Sequence, residues 1–291
     1  MMLDAELVRL NPELFYIAIA LLSLVVGSLL NVIIYRLPLM MRAELLSECQ
    51  CLLELDGEPD TKINLFLPRS FCPACKKTVK AIYNIPIIGY LLLRGRCNYC
   101  KHAISIRYPL IEAMSCILAV FATWHFGFGL PLLFALLFIW ILIALLFIDI
   151  DHQLLPDNLT LPLLWLGLIA NTQSLFTTLP NAVLSAAGAY LLLWLFIKLF
   201  YLCTGKIGMG NGDFKLFAAF GAWFGWEQLP LILMLASLTG SIIGIIYLKS
   251  RKKSSDTPIA FGPFLCVSGF ISLMWGQSIL SWYLNFWGTK L

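Results

Sequence analysis

The sequence predicts an all-α polytopic membrane protein with about eight transmembrane helices and a small cytoplasmic domain between helices 1 and 2. Composition, the clustering of apolar residues and the placement of basic residues carry that prediction. Of 291 residues, 60% are Ala, Val, Ile, Leu, Met, Phe, Trp, Tyr or Cys, and only 12% are Asp, Glu, Lys or Arg. An ordinary soluble domain carries roughly 25% charged residues. So few charges cannot cover a soluble globule of this size, and the apolar excess must face a lipid bilayer. A net charge of +4 is too small to argue for nucleic acid. Soluble enzymes, disordered chains and DNA-binding modules are set aside with it.

A span needs about 20 predominantly apolar residues. Such runs lie near residues 14–35, 108–126, 130–148, 159–171, 180–202, 214–226, 229–248 and 259–284. The first follows Asn11, Pro12 and an acidic start (Asp4, Glu6, Glu13). It is long enough to span, so it reads as a membrane helix rather than a cleavable signal peptide. Runs 159–171 and 214–226 are short and lie beside polar motifs. Partial or broken helices of that kind are tolerated where backbone lines a protein cavity. Orientation follows from Lys and Arg. With the N-terminus outside, segments 36–107, 149–158, 198–215 and 249–258 are inside and hold 18 of the 20 basic residues, leaving only Arg9 and Lys290 outside. An even number of spans puts both termini outside, on the periplasmic face.

The polar segment 36–107 is about half the size of an independently stable core and needs a staple. Cys72-Pro-Ala-Cys75 and Cys97-Asn-Tyr-Cys100 supply one. Two intervening residues let both thiolates reach one ion, and two such knuckles complete a closed tetrahedral zinc site. A disulfide pair or a thioredoxin-like redox site is the competing reading. Stable disulfides are disfavoured in the cytoplasm, and no βαβ pattern surrounds either pair. Cys49 and Cys51 are weaker candidates, and Cys116, Cys203 and Cys266, in or beside apolar runs, read as packing. The chain divides into an N-terminal segment with the first helix (1–35), a zinc-binding domain (36–107) and a transmembrane domain (108–291).

The next signal is acid where acid is expensive. After Glu112 the apolar half holds Asp149, Asp151, Asp157, Asp213 and Glu227, then only Asp256 in a basic loop. Carboxylates at membrane boundaries are functional candidates by default. Asp149 ends an apolar run inside Phe147-Ile-Asp-Ile-Asp-His-Gln-Leu-Leu-Pro-Asp157, and Asp213 closes Gly208-Met-Gly-Asn-Gly-Asp213. Two carboxylates that meet can share a proton, one as general base on water and the other as general acid. Gly208, Gly210 and Gly212 leave room for an extended substrate. They also suit close helix packing, and Asp213 also suits a helix cap. Asp151, His152 and Asp157 read as loop solvation, a cap or a metal site. With only His102 and His125 besides, a catalytic metal ranks below a carboxylate pair.

These residues together resemble the bacterial type IV prepilin peptidase/N-methyltransferases, which are bifunctional GxGD aspartyl proteases. The resemblance runs over most of the chain. It rests on Gly27-Ser-Leu-Leu-Asn-Val-Ile-Ile-Tyr-Arg-Leu-Pro38, Pro68-Arg-Ser-Phe-Cys72, Ile85-Pro86 through Leu93-Arg-Gly-Arg-Cys97, Arg107-Tyr-Pro-Leu-Ile-Glu112, Phe261-Gly-Pro-Phe264, and the FxDxDxxxLPD and GxGD motifs, all in order. It implies that Asp149 and Asp213 are the catalytic pair. It also implies an inner-membrane enzyme that cleaves the leader of prepilins and type II secretion pseudopilins on the cytoplasmic side, and then methylates the new amine with S-adenosylmethionine. Peptidases of the family that lack a cysteine domain lack the second activity. No Rossmann fingerprint is present. Gly95, Arg107 and Glu112 are weak candidates for the cofactor site. The alternatives are a transporter or channel using Asp149 and Asp213 as proton or ion sites, a zinc-bearing scaffold, a preflagellin-type or signal-peptide-peptidase-like aspartyl protease, and a peptidase without methyl transfer.

Overall fold

The computed structural model describes residues 11–53, 64–205, 209–251 and 260–286. Gly208 of the glycine-rich motif lies outside the described residues, as do Asp4, Glu6, Arg9, Lys62, Lys206, Lys252, Lys253, Asp256 and Lys290. Helices dominate, and the described residues hold no strand beyond two isolated bridges, Phe71 with Thr78 and Arg96 with Ala103. The chain forms two compact units, residues 1–128 and 129–291.

In the first unit, helix α1 (Pro12–Leu52) starts with Pro at its first position, where the missing N–H is no loss. It continues well past the expected boundary at residue 35. Although Pro38 lies inside it, the stretch after Pro38 is rich in Leu, Met, Ala, Glu and Arg, which favour helix. Forty-one residues at about 1.5 Å each are twice the thickness of a hydrocarbon core. A 3₁₀ turn (Ala81–Asn84) and a short helix α2 (Ile88–Leu92) follow, then α3 (Arg107–Phe126). Gly89 lets α2 lie on the backbone of Tyr83, where any Cβ would collide.

Helices α1 and α3 pack through small and polar residues, as membrane helices do. A Cβ on Gly27 would sit 2.8 Å from Glu112 Cα. Ser115 Oγ donates to Ser23 O at 2.9 Å, and Asn31 Nδ2 to Tyr108 O at 3.1 Å. Buried Arg36 donates to the carbonyls of Asn64, Leu65 and Pro68, fastening the polar segment to α1.

The second unit comprises α4 (Leu130–His152), α5 (Asp157–Asn171), α6 (Leu179–Thr204), α7 (Asn211–Phe224), α8 (Leu229–Arg251) and α9 (Gly262–Phe286). Helix α7 packs against α5, α6, α8 and α9, and is buried on almost every side from Asp213 to Phe224. Phe138 of α4 meets its aromatic end, with ring centroids 6.0 Å from Phe220, 4.7 Å from Trp223 and 5.5 Å from Phe224. Trp223 fills the notch at Gly167 and donates to Leu163 O at 2.8 Å. The other helices turn large apolar side chains outward, such as Leu184, Leu195 and Phe196 of α6. That outer surface is the one a bilayer would cover.

Among the described residues, six helices are long and apolar enough to span: α1, α3, α4, α6, α8 and α9. Helices α5 and α7 occupy the two short runs, with 15 and 14 residues. At 1.5 Å per residue they reach about 22 and 21 Å, against a hydrocarbon core of about 30 Å.

The far end of α7 is held by one side chain. Asn171 donates to Ala222 O at 2.7 Å and Trp223 O at 3.0 Å, and its Oδ1 accepts the N–H groups of Phe176 and Thr177, both at 3.0 Å. Asn171→Leu removes all four bonds from a buried position. It should destabilise the protein by roughly 2–4 kcal/mol, read as a lower unfolding midpoint in detergent.

Candidate functional site

Three chain segments converge on Asp149 and Asp213. Asp149 lies in the last turn of α4 and is 5% exposed. The helix runs four residues past the expected end at 148, so Asp149, Asp151 and His152 belong to it rather than to a loop. The turn then ends at Gln153, in the left-handed conformation, and the chain reverses through Leu155 and Pro156 into α5. Asp213 is the third residue of α7, 8% exposed. Its Oδ2 accepts the Gly210 N–H at 3.3 Å, half of a capping box.

The two carboxylates are electrostatic neighbours although 64 residues separate them in sequence. Among the described residues, neither Asp149 Oδ2 nor Asp213 Oδ1 has a hydrogen-bond partner, and both atoms are buried. Such orphans are rare in proteins and call for a reason. An incoming water or peptide would supply one.

The third segment is the start of α9. A Cβ on Gly262 would fall 2.5 Å from Asp149 Oδ2. Only glycine leaves the carboxylate its place. Leu155 sits between two glycines, 2.7 Å from a Cβ on Gly212 and 3.2 Å from one on Gly262. Buried Cys266, one turn along α9, is an electrostatic neighbour of both aspartates. Sequence reasoning treats Gly262 only as part of Phe261-Gly-Pro-Phe264 and Cys266 as packing. A glycine directly before a helix-starting proline was the available signal for a close approach.

The other acidic candidates lie nearer the surface. Lys215 Nζ meets both oxygens of Asp157 at 2.7 Å, tying the first turns of α5 and α7 together. Asp151 and His152 are exposed. Among the described residues, the one set of His, Cys, Asp or Glu groups close enough to hold a metal is in the first unit: Cys72, Cys75, Cys97 and Cys100, their sulfurs within 4.8 Å of one another.

That cluster is built twice over, with an offset of 25 residues. Cys72 N–H bonds Lys77 O at 2.9 Å and Lys76 N–H returns to Cys72 O at 2.9 Å; Cys97 N–H bonds His102 O at 2.8 Å and Lys101 N–H returns to Cys97 O at 3.0 Å. Lys76 and Lys101 each take positive φ, 59° and 58°, to close these turns. The Cys72 and Cys100 sulfurs are 3.8 Å apart. Four sulfurs about 2.3 Å from a tetrahedral zinc would be about 3.8 Å apart, so the quartet fits the ion. Backbone N–H groups of Cys100 and Tyr99 bring the Cys97 thiol down to about 6, while Cys100 is pushed up to about 11 with burial and its neighbouring cysteines as raising causes.

Of the weak candidates, Gly95 has φ +66° beside the second knuckle, Arg107 opens α3, and Glu112 is buried on α3 with Oε2 accepting the Ile87 N–H at 2.7 Å.

Two family descriptions match the chain: a bacterial peptidase A24 N-terminal domain over residues 21–126 and the type IV leader peptidase family over residues 136–245. A prepilin leader peptidase/N-methyltransferase of Legionella pneumophila is 61% identical, with 95% of this chain and 96% of that protein aligned. Proteins of the same description from Stutzerimonas stutzeri and Pseudomonas aeruginosa are 48% and 49% identical, covering 98% and 96% of this chain and 99% and 97% of theirs. No solved structure matches.

Metal analysis of the purified protein should find one zinc per chain. Cys72→Ser or Cys97→Ser should release it, and a stoichiometric metal retained in both variants would remove the cysteines from the site.

Proposed function

Because the chain belongs to the type IV leader peptidase family, we propose that it cleaves the leader of type IV prepilins and of type II secretion pseudopilins with Asp149 and Asp213, and then N-methylates the new N-terminal residue using S-adenosylmethionine. The observation that carries the peptidase reading is the pair of buried, partly unpartnered carboxylates at the meeting of α4, α7 and α9. The relatives' names favour it over ion transport.

The pair shares one proton. The ionised carboxylate takes a proton from water as the water attacks the scissile carbonyl carbon. The protonated carboxyl gives its proton to the carbonyl oxygen, forming a tetrahedral diol. Collapse of that diol breaks the C–N bond as the leaving nitrogen is protonated, which is general acid–base catalysis at matched geometry. Gly210 adds no side chain beside Asp213, Gly212 makes room for Leu155, and Gly262 gives Asp149 its space.

The chain lies in the bacterial cytoplasmic membrane with both termini periplasmic and the carboxylates facing the cytoplasm, since that orientation keeps 18 of 20 basic residues inside. A pilin presents its cut site where its apolar helix leaves the cytoplasmic face, and this topology meets it there. Helices α5 and α7 complete eight membrane helices as short spans. Segment 36–107 is the zinc-binding domain associated with methyl transfer, and residues 108–291 form the peptidase domain. Cys72, Cys75, Cys97 and Cys100 hold one Zn²⁺ as a closed structural site. Methyl transfer draws on the first unit, where Gly95, Arg107 and Glu112 are the starting candidates.

Incubating the purified protein with a prepilin, with and without S-adenosylmethionine, and following substrate mass tests both steps. Asp149→Asn and Asp213→Asn should each reduce leader cleavage by on the order of 10³-fold without changing zinc content. Asp151→Asn and Asp157→Asn should cost less. Cleavage that survives in either of the first two variants would sink the aspartyl mechanism.

Gly262→Ala should also lose cleavage, because its methyl group and Asp149 Oδ2 cannot share the same space. A chelator should leave cleavage intact at short times. Rapid loss with the fold preserved would favour a metal at Asp149, Asp151 and His152 instead.

A further inference from the structure

Residues 64–107 carry eight Lys or Arg and no Asp or Glu. Seven of the eight are exposed, and Arg107 is half-buried. Membrane orientation accounts for an excess of Lys and Arg but not for the missing acids, because Asp and Glu contribute little to it. A zinc ion held by four thiolates would add only two negative charges, so the segment stays strongly positive. Such a surface fits a negatively charged partner.

The same segment displays apolar side chains that nothing in the chain covers. Ile88, Leu91 and Leu92 fall at positions i, i+3 and i+4 of α2, which is one face of a helix, and they are 53%, 66% and 59% exposed. Ile82 and Ile85, in the turn leading to α2, are exposed as well. The helix cannot roll to hide them, because its other face is committed inward. Gly89 lies against the backbone of Tyr83, and Tyr90 faces the cavity between the knuckles and α3. A fixed, contiguous apolar face of this kind marks a contact surface.

The depth of α2 identifies what it meets. The N–H of Ile87, directly before α2, donates to Glu112 Oε2 at 2.7 Å. Glu112 stands four residues into the apolar run that begins at 108, about 6 Å along α3. On the other side of the segment, Arg36 binds the carbonyls of Asn64, Leu65 and Pro68 just where the run 14–35 ends. Both attachments lie at one membrane boundary. Interfacial helices bury their apolar faces roughly 5–10 Å into that boundary. Arg94 and Arg96 follow α2 directly, and a guanidinium fork matches the oxygens of a phosphate.

We propose that α2 is seated in the cytoplasmic leaflet, with Ile88, Leu91 and Leu92 among acyl chains and Arg94 and Arg96 on the phosphates of anionic phospholipids. The leaflet is named by the orientation proposed above, while the contact itself does not depend on it. Lipid then covers the side that a segment of this size cannot cover with a core of its own.

The test places the full-length, zinc-bearing protein in nanodiscs of equal parts phosphatidylglycerol and phosphatidylcholine, whose two faces are alike, so its outcome is independent of orientation. A photo-crosslinking benzoylphenylalanine replaces Leu91 in one preparation and Leu52 in another. Leu52 ends α1, about 24 Å along the helix from Arg36. After illumination, mass spectrometry should find phospholipid attached at position 91 and far less at position 52. Phosphatidylglycerol should exceed phosphatidylcholine among the adducts by at least about threefold. Arg94→Gln together with Arg96→Gln should erase that preference, and 0.5 M salt should weaken it, with zinc content and total lipid capture retained.

Equal lipid capture at positions 91 and 52 overturns the seating of α2, as does a position 91 that crosslinks to protein alone. Equal capture of the two lipids by the unaltered arginines, or a preference that survives their replacement, overturns the phosphate contact.

Discussion

A carboxylate taken out of water costs several kcal/mol unless something replaces the lost solvation, and the second unit takes out two. The packing around α7 follows from that constraint. Asp213 must reach the end of α4, so α7 runs through the middle of its neighbours and buries nearly all of its surface. Phe138, in tilted and edge-on ring contacts with Phe220, Trp223 and Phe224, together with the four bonds of Asn171, fixes the opposite end of that helix. A helix so held delivers its first-turn side chain to one place. Sharing one proton between the two acids lowers the cost of burying both, because only one then carries charge.

The first unit meets a different constraint, too little apolar surface in its polar segment for a core of its own. Its answer is local and repeated. The same backbone bonds close both knuckles, and the positive φ of Lys76 and Lys101 falls at equivalent positions in each. Arg36, a charged side chain buried at the point where α1 leaves its apolar stretch, binds three loop carbonyls. The segment is thus fastened at two points, the cysteine quartet and the helix that leads into it.

Much of this was legible in the sequence, where the signal was chemical. Runs of apolar residues announced the helices, CxxC spacing announced the knuckles, and acids in apolar surroundings announced Asp149 and Asp213. What escaped was whatever depended on packing between distant segments. The continuation of α1 to Leu52 was hidden because Pro38 and the polar residues after it read as the end of a span, although their helix propensity is high. Gly262 and Leu155 touch the carboxylate site only through tertiary contact. The partnership of Lys215 with Asp157 was invisible because Lys215 counted only toward orientation.

The burial of α7 bears on how the chain is made. A helix that shows almost no apolar face to its surroundings, and that carries Asn211, Asp213 and Lys215 in its first turns, gains little from contact with lipid alone. It settles only as its neighbours become available. The neighbour that walls Asp149, helix α9, follows both aspartates in the chain and leaves the ribosome after them. A partly synthesised chain therefore holds both aspartates but lacks the surface that sets their geometry. The site around Asp149 is complete only once α9 has joined the bundle.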